Sequence, residues 1–263
     1  MSNLLKNPDF WRPQADPHAL DRFVLDKVLP RAGHQYPLPE LGLMTLAVAH
    51  ARPTHILEWG TNIGASALAF HVITESLGMP IPIHSWDLPE DVPHGQHPGQ
   101  GYAAMVKGLD RIVLHREDGL TGALRLAREE IEKKSGFRPL FLVDGDHSYA
   151  SVIREISALV PLLDHFHILA HDTFVQKPDG KGLSRESWLA CPTVLERLAE
   201  DYRWINVGFG FPGMAYLWGR GKGKGAAQGG GWLRFLDRAE VFAEKKIFRL
   251  FQAARQFFRQ SRT

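Results

Sequence analysis

The sequence predicts an α/β fold in which a mostly parallel, seven-stranded sheet carries helices on both faces. Short apolar runs and helical patterns alternate about five times before the pattern ends in two consecutive strands. This alternation favours parallel strands joined by crossover helices. The strands are nearly continuous apolar runs, as expected when both faces of a sheet are covered. Polar clusters follow several strands directly, where such sheets bind ligands. We therefore expect a Rossmann-like, doubly wound architecture.

The individual elements follow from apolar periodicity and from the Gly and Pro residues that end each run. The predicted helices are 18–28, 39–53, 65–78, around 102–109, 120–136, 151–163 and 193–202. The predicted strands are 54–60, 81–87, 111–118, 139–146, 165–172, 204–210 and 214–220. Their arrangement divides the chain into an N-terminal helical and loop extension over 1–38, a ligand-binding domain over 39–218, a Gly-rich basic linker over 219–231 and an amphipathic basic helix over 232–263.

Composition excludes several classes of protein. The formal net charge is only +2, so nothing in the overall charge calls for a nucleic-acid partner. The single cysteine, Cys191, excludes an intrachain disulfide framework and fits a reducing compartment. The longest apolar run, 41–49, is far shorter than the roughly 20 residues that span a bilayer. We expect a cytoplasmic protein.

The C-terminal segment differs from the rest of the chain in charge and periodicity. From Gly231 onward there are eight Lys or Arg and three Asp or Glu, a local charge of +5 that leaves −3 for the remainder. Apolar residues recur at spacings of three or four, which is typical of one stripe of a long helix. Three partners suit such a helix: an anionic membrane surface, a sister subunit in a homo-oligomer, or its own domain.

A glycine turn follows the first predicted strand in "EWGTNIGAS". Gly60 and Gly64 allow a sharp turn and the close approach of a ligand, and the next helix begins directly after them. The pattern is neither the G-x-G-x-x-G of dinucleotide folds nor a phosphate loop. Glu58 precedes it, and an acid at this position suits a cationic or zwitterionic ligand.

The stretch resembles the first motif of class I S-adenosylmethionine-dependent methyltransferases, E/D-x-G-x-x-x-G-x-S, at every fixed position. The resemblance implies that the turn wraps the methionine portion of the cofactor, with Glu58 as a polar anchor nearby. The residues that it places around S-adenosylmethionine are Glu58, Gly60, Thr61, Asn62, Gly64 and Ser66.

Two further acids end the next strands. Asp87 ends the second strand, and a carboxylate there can accept two hydrogen bonds from a ribose diol. The family resemblance implies the same role. The third strand ends in Glu117 and Asp118, and we expect Asp118 to lie near the adenine.

An acid–His cluster follows the fourth strand in "LFLVDGDHSYA". Asp144 ends the strand, and Gly145, Asp146 and His147 follow it. The fifth strand ends in His171 and Asp172. Because these strands are neighbours in a doubly wound sheet, we expect Asp144, His147 and Asp172 to converge. Converging carboxylates repel each other unless a cation offsets the repulsion, and oxygen ligands suit Mg²⁺.

The stretch from Leu140 to Thr173 resembles the branch that contains the macrocin and mycinamicin sugar O-methyltransferases and the cephalosporin hydroxylase relatives. In the sugar enzymes an Asp-x-x-His follows the fourth strand; the Asp holds Mg²⁺ and the His is the general base. Asp144, as cofactor and metal ligand, and His147, as the catalytic base, match that pattern. A Glu-Asp pair follows the fifth strand there. Here the pair is His171-Asp172. Because His171 stands where the sugar enzymes have Glu, metal binding is left open, and Asp146 is either an additional ligand or a turn cap.

The sequence therefore predicts an S-adenosylmethionine-dependent O-methyltransferase that acts on a hydroxyl of a sugar or another hydroxylated small molecule, assisted by Mg²⁺ if the site binds metal. Two alternatives remain at this level. The domain is a non-catalytic, cofactor-binding partner subunit of a biosynthetic complex, or it is a nicotinamide-dependent oxidoreductase. The absence of G-x-G-x-x-G counts against the oxidoreductase.

Overall fold

A computed structural model describes residues 18–92, 101–146, 149–173, 194–208 and 212–221. The strands are β1 (His55–Trp59), β2 (Ile83–Asp87), β3 (Ile112–Arg116), β4 (Pro139–Val143), β5 (His165–His171), β6 (Ala199–Val207) and β7 (Met214–Gly221). The helices are α1 (Ala19–Phe23), α2 (Leu29–Ala32), α3 (Leu38–Ala51), α4 (Ala65–Ser76), α5 (Gly119–Glu132) and α6 (Tyr149–Leu159). The predicted C-terminal helix and His147 lie outside the described residues.

The seven strands form one sheet in the order β3-β2-β1-β4-β5-β7-β6. The first five strands are parallel, whereas β7 pairs antiparallel with β5 and β6. The predicted Rossmann-like, doubly wound fold is therefore confirmed. The strand order reverses between β1 and β4, and this is where open α/β sheets leave a crevice for ligands.

Two apolar layers cover the sheet, and the alternation along β4 shows how. Leu140 and Leu142 pack in the layer of α3 and α4, while Phe141 and Val143 pack in the layer of α5 and α6. All four side chains are fully or almost fully buried. Because the sheet is covered on both faces, its strands are continuous apolar runs, which is why the sequence pattern identified them.

The described part of the predicted N-terminal extension belongs to the same core. A π-helical turn, Val24–Val28, joins α1 to α2. Pro30 follows it, and because proline has no N–H, the regular α-helical bond at that position is lost. Val24 and Val28 are buried in the layer of α3 and α4. This segment thus brings residues 33–40 to the carboxyl edge of the sheet.

The helix predicted around Tyr102 to Leu109 is wrong. The segment is a series of turns. Ala103 has a positive φ of 53°, and its N–H donates to Asn62 O at 2.8 Å. The N–H of Met105 donates to Ile63 O at 3.0 Å. Because these donors serve the turn after β1 and not a helix, the segment braces that turn from outside.

The helix predicted for 193–202 is partly right. Residues 194–198 are helical, and β6 begins at Ala199. From there the backbone pairs with β7, with Tyr202 opposite Gly219 and an irregularity in the ladder between Ala199 and Asp201. Over 199–202, strand pairing outweighs the helix propensity of "AEDY".

Residues 219–221, predicted as the start of the linker, belong to β7, and the rest of the predicted linker lies outside the described residues. Gly219 lies so close to β6 that an added Cβ would be 2.1 Å from Asp201 O. The close packing of β6 and β7 therefore requires glycine at this position, and Gly219 does not indicate a flexible linker. Among the described residues, no helix is long and apolar enough to cross a membrane.

Candidate active site

A cavity of about 660 Å³ opens at the carboxyl edge of the sheet, over the reversal of strand order between β1 and β4. Its volume suits a small-molecule ligand. Most of the residues singled out in the sequence line it, namely Gly60, Thr61, Asn62, Ser66, Asp87, Asp118, Asp144, Asp146, His171 and Asp172. The loops after β1, β2, β4 and β5 thus converge as their positions predicted.

The turn after β1 is held against the end of β4. Gly60 has φ +95°, and a Cβ added to it would lie 2.0 Å from the backbone oxygen of Asp144. The N–H of Gly60 also donates to Trp86 O at 2.9 Å. Only a residue without a side chain fits between these two backbone segments. Gly60 therefore sets the distance between the turn and Asp144.

Gly64 lies behind the turn, at the start of the next helix. It begins α4 with φ +92°, and an added Cβ would lie 2.7 Å from Val106. Gly64 is not among the described residues that line the cavity. Its small size lets the turn pack against the segment 101–110, so it shapes the cavity from behind.

Glu58 also lies behind the cavity wall. It is 1% exposed, and the Ser85 hydroxyl donates to its Oε1 at 2.7 Å. The Ser85 and Thr61 hydroxyl oxygens are 2.7 Å apart, so a polar chain runs from Glu58 to the cavity. Burial raises the pKa of Glu58 to about 7, although the hydroxyl groups of Ser85 and Ser66 lower it. Glu58 therefore supports the turn and is not among the described residues that line the cavity.

The buried carboxyl group of Glu58 should make the stability of the protein depend on pH. Since its pKa is raised in the folded state, the folded protein binds the proton more tightly than the unfolded chain, and stability is lost as pH rises from about 4.5 to about 7. Glu58→Gln carries no such penalty. We compare the free energy of unfolding of Glu58→Gln with that of the unmodified protein. The difference should shift in favour of the variant by up to about 3 kcal/mol between pH 4.5 and pH 8.

Urea unfolding at both pH values measures this difference. The exposed Glu129, on α5, offers the control, since Glu129→Gln should show no gain with pH. A constant difference between Glu58→Gln and the unmodified protein at both pH values would contradict the raised pKa.

Asp87 presents a fixed carboxylate to the cavity. Its Oδ2 accepts from the N–H of Asn62 at 3.0 Å, and its Oδ1 accepts from the N–H of Leu88 at 2.9 Å. Asn62 has a positive φ of 47°, which turns its N–H towards the acid. These two backbone N–H groups fix the orientation of the carboxylate, which lines the cavity.

Asp118 is the N-cap of α5. Its Oδ1 accepts from the N–H of Thr121 at 2.8 Å and from the hydroxyl of the same residue at 2.6 Å. It lines the cavity, as predicted, but it also has a structural role, since capping satisfies a free donor of the helix. Glu117, its neighbour, accepts instead from Trp86 Nε1 at 3.3 Å.

The ends of β4 and β5 bring an imidazole between carboxylates. His171 Nδ1 is 2.8 Å from Asp144 Oδ1 and 3.4 Å from Asp172 Oδ1. Asp172 has a positive φ of 55°, so it turns back towards the site directly after the strand. Burial lowers the pKa of His171, but the charge of Asp144 and hydrogen bonds to Asp144 and Glu40 outweigh it and hold the pKa well above its usual value.

Sequence reasoning missed two residues of this cluster. Glu40, in the first turn of α3, lies 3.2 Å from His171 Nε2. The Tyr36 hydroxyl lies 3.5 Å from Asp144 Oδ2, and its ring meets His171 edge to face. The signal for Glu40 was weak, since an acid in the first turn of a helix is ordinarily an exposed partner of the helix dipole. Only the packing of the N-terminal segment shows its burial.

A second group of polar side chains lines the other side of the cavity. Glu155 on α6 is 3% exposed, and its Oε1 accepts from the Ser151 hydroxyl at 3.1 Å. Burial raises the pKa of Glu155 to about 7. Arg154, beside it, reaches to 4.0 Å from Asp118. These residues were not identified from the sequence, because nothing in the pattern of α6 distinguishes them from an ordinary helix face.

Comparison with known proteins gives fold-level similarity. No protein-family model matches the chain, and no curated protein matches it. Among solved structures, the O-methyltransferase TomG from Streptomyces achromogenes, in complex with S-adenosylmethionine, is 15% identical and has a TM-score of 0.45, with 78% of this chain and 91% of that chain covered.

Two further structures are similar at the same level. The methyltransferase PaMTH1 from Podospora anserina, bound to S-adenosylhomocysteine, is 18% identical with a TM-score of 0.43, covering 72% of this chain and 80% of its own. An O-methyltransferase from Bacillus cereus, also with S-adenosylhomocysteine, is 13% identical with a TM-score of 0.43, covering 80% of this chain and 94% of its own. Similarity this low carries no conclusion about the activity of this chain.

Proposed function

We propose that this protein is an S-adenosylmethionine-dependent methyltransferase that transfers the methyl group to a hydroxyl of a sugar or another hydroxylated small molecule. One observation carries the proposal: a glycine turn, a carboxylate held in place by backbone N–H groups and an acid–His cluster line the same cavity. The turn holds Gly60, the carboxylate is Asp87, and Asp144 and His171 lie opposite. Each group suits a different part of the reactants.

The cofactor half of the cavity is formed by the turn after β1 and by the end of β2. Bound S-adenosylmethionine supplies an electrophilic methyl group on a sulfonium sulfur. Asp87 would accept hydrogen bonds from the two ribose hydroxyls, because backbone N–H groups hold its two oxygens in place. Thr61 and Ser66 would face the methionine portion, with Glu58 holding Thr61 in place through Ser85. Asp118 would lie towards the adenine.

The reacting half of the cavity is formed by the ends of β4 and β5. Asp144, His171 and Asp172 offer ligand atoms that lie within 4.8 Å of one another, so these residues fit a divalent cation. Such a cation, when bound, would lower the pKa of the acceptor hydroxyl. His147, three positions after Asp144, would take the proton of that hydroxyl as its oxygen attacks the methyl carbon. The cation and His147 would then both act where the methyl group is delivered.

Calorimetry with S-adenosylhomocysteine and, separately, with NAD tests this proposal. We expect binding heat with the former and none with the latter, because the turn lacks the dinucleotide pattern. If S-adenosylhomocysteine gives no heat, the proposed function is wrong. Heat with NAD alone would favour the oxidoreductase.

Asp87→Ala should lower the affinity for S-adenosylhomocysteine by about 10- to 100-fold, because two charge-assisted hydrogen bonds are lost. The exposed Asp91 follows on the same loop and offers a matched control, since Asp91→Ala should bind like the unmodified protein. Calorimetry measures both. Equal affinity in the two variants would mean that Asp87 does not hold the ribose.

A second function stays open for the same cavity: a cofactor-binding subunit without catalysis, docked to a biosynthetic complex by the segment 232–263. The local charge of +5 from Gly231 onward supports a docking or membrane-surface role for that segment. We propose a cytoplasmic location for the protein, with this segment contacting a membrane surface, a sister subunit or its own domain.

A further inference from the structure

His171 contacts carboxylates through both of its ring nitrogens, and the two sides differ. Nε2 faces Glu40 Oε2 at 3.2 Å, and Glu40 is almost fully buried although it contributes to the cavity wall. Nδ1 faces Asp144 Oδ1 at 2.8 Å and Asp172 Oδ1 at 3.4 Å, and all three of these residues line the cavity. The imidazole thus has a buried structural contact on one side and a pair of accessible carboxylates on the other.

Glu40 is held in place by a second contact. It is 2% exposed, and its Oε1 accepts from the N–H of Gly213, just before β7, at 2.8 Å. Its two oxygens therefore serve two different donors, the Gly213 N–H and the His171 Nε2–H. A carboxylate is suited to this because it only accepts. An amide would offer one oxygen and one NH₂ group and could not satisfy both donors.

This contact fixes the chemistry of the opposite nitrogen. With Nε2–H directed at Glu40, loss of the proton on Nδ1 to a bound cation would leave the Nδ1 lone pair facing Asp144 and Asp172. In metalloproteins, a histidine ligand ordinarily donates its other ring N–H to a carboxylate or a carbonyl, which sets the tautomer and the ring orientation. Glu40 occupies the position of that partner.

The spacing on the Nδ1 side fits ligands of one ion. With bonds of about 2.1 Å, adjacent ligand atoms on a metal lie roughly 3.0 to 3.4 Å apart. The separation from Nδ1 to Asp172 Oδ1, 3.4 Å, lies in this range, and the separation to Asp144 Oδ1, 2.8 Å, is slightly shorter. A metal on Nδ1 would use the lone pair that otherwise binds a proton, so one replaces the other.

We infer that Glu40 positions His171 as the nitrogen ligand of a divalent transition-metal ion, with Asp144 and Asp172 as the oxygen ligands. An imidazole favours ions from Mn²⁺ to Zn²⁺ over Mg²⁺ and Ca²⁺, which take oxygen ligands. The site therefore selects a transition metal in place of the Mg²⁺ expected from sequence resemblance. The inference rests on the metal site of the proposed function, but it does not depend on the cofactor.

The first experiment uses the unmodified protein and the metals alone. Calorimetric titration should give an affinity for Mn²⁺ at least about 10-fold above that for Mg²⁺. Pulsed electron paramagnetic resonance of bound Mn²⁺ should show coupling to an imidazole nitrogen, and His171→Asn should remove that coupling. Equal affinities for the two metals, or bound Mn²⁺ without nitrogen coupling, would overturn the inference.

The second experiment isolates Glu40. Glu40→Gln should weaken Mn²⁺ binding by about 10- to 100-fold, as loss of such a partner does in known metal sites. Glu155→Gln is the matched control: it changes a buried glutamate of the same cavity that bonds to Ser151, and it should leave Mn²⁺ affinity unchanged. Unchanged affinity in Glu40→Gln would show that Glu40 does not position the ligand.

The two proposals fail separately in these measurements. Should Glu40→Gln not fold, the nitrogen coupling in the unmodified protein still decides whether His171 is a ligand. Binding of S-adenosylhomocysteine with no metal preference would overturn the metal inference alone. Nitrogen-coupled Mn²⁺ without binding of S-adenosylhomocysteine would overturn the proposed function and leave the metal site standing.

Discussion

Gly60→Ala should abolish detectable binding of S-adenosylhomocysteine and lower the free energy of unfolding by about 3 kcal/mol or more. The new Cβ would lie 2.0 Å from the backbone oxygen of Asp144 and 2.9 Å from its carbonyl carbon. Neither atom can move without displacing the end of β4. The turn after β1 and the Asp144 carboxylate would both shift, so the two halves of the cavity are damaged together.

Gly78 separates this steric effect from backbone strain. It also has a positive φ, +69°, but an added Cβ would meet no atom within 4 Å. Gly78→Ala should therefore cost only about 1 kcal/mol and leave ligand binding intact. Calorimetry and urea unfolding of both variants give the comparison. If Gly60→Ala is no worse than Gly78→Ala, the turn does not lie against β4 as closely as described.

His147→Ala should reduce methyl transfer by about 10²- to 10⁴-fold while the affinity for S-adenosylhomocysteine stays within about 2-fold of the unmodified value. The physical reason is that a general base acts on the acceptor hydroxyl and takes no part in binding the cofactor. Formation of S-adenosylhomocysteine, measured with a hydroxylated acceptor that supports turnover of the unmodified protein, gives the rate.

His165 provides the control, since it is exposed and lies at the opposite end of β5 from His171. His165→Ala should transfer at the unmodified rate. Unaltered transfer in His147→Ala would mean that another group takes the proton. Unaltered biological output in that variant, with no turnover in the unmodified protein, would favour the non-catalytic subunit.

Most of the sheet could be predicted because its strands are buried on both faces. The sequence of β4, "PLFLV", is apolar throughout, and its last four side chains pack alternately in the two helix layers. The glycine turn could also be predicted, since Gly60 has a backbone conformation and a close contact that only glycine allows. Local sequence carries such information because the constraint acts on single residues and on fixed periodicities.

The helix predicted for 102–109 and the last residues of the helix predicted for 193–202 are wrong for one reason. In 102–109, backbone donors bond to the turn after β1, and in 199–202 the backbone pairs with β7. Both segments have acceptable helix propensity, but their hydrogen-bond partners are distant in sequence. Propensity differs by less than about 1 kcal/mol per residue for ordinary residues, so a few tertiary hydrogen bonds outweigh it.

The sequence by itself determined the fold class, the turn at Gly60 and the acids at the strand ends, because each follows from strand order and from residue type. It could not determine what faces those acids. Glu40 and Tyr36 reach His171 and Asp144 only because the N-terminal segment packs over the edge of the sheet, more than 100 positions away in sequence. Contacts between such distant segments leave no local pattern. The tertiary structure alone therefore decided that Glu58 supports the site from behind and that His171 is held by a buried carboxylate.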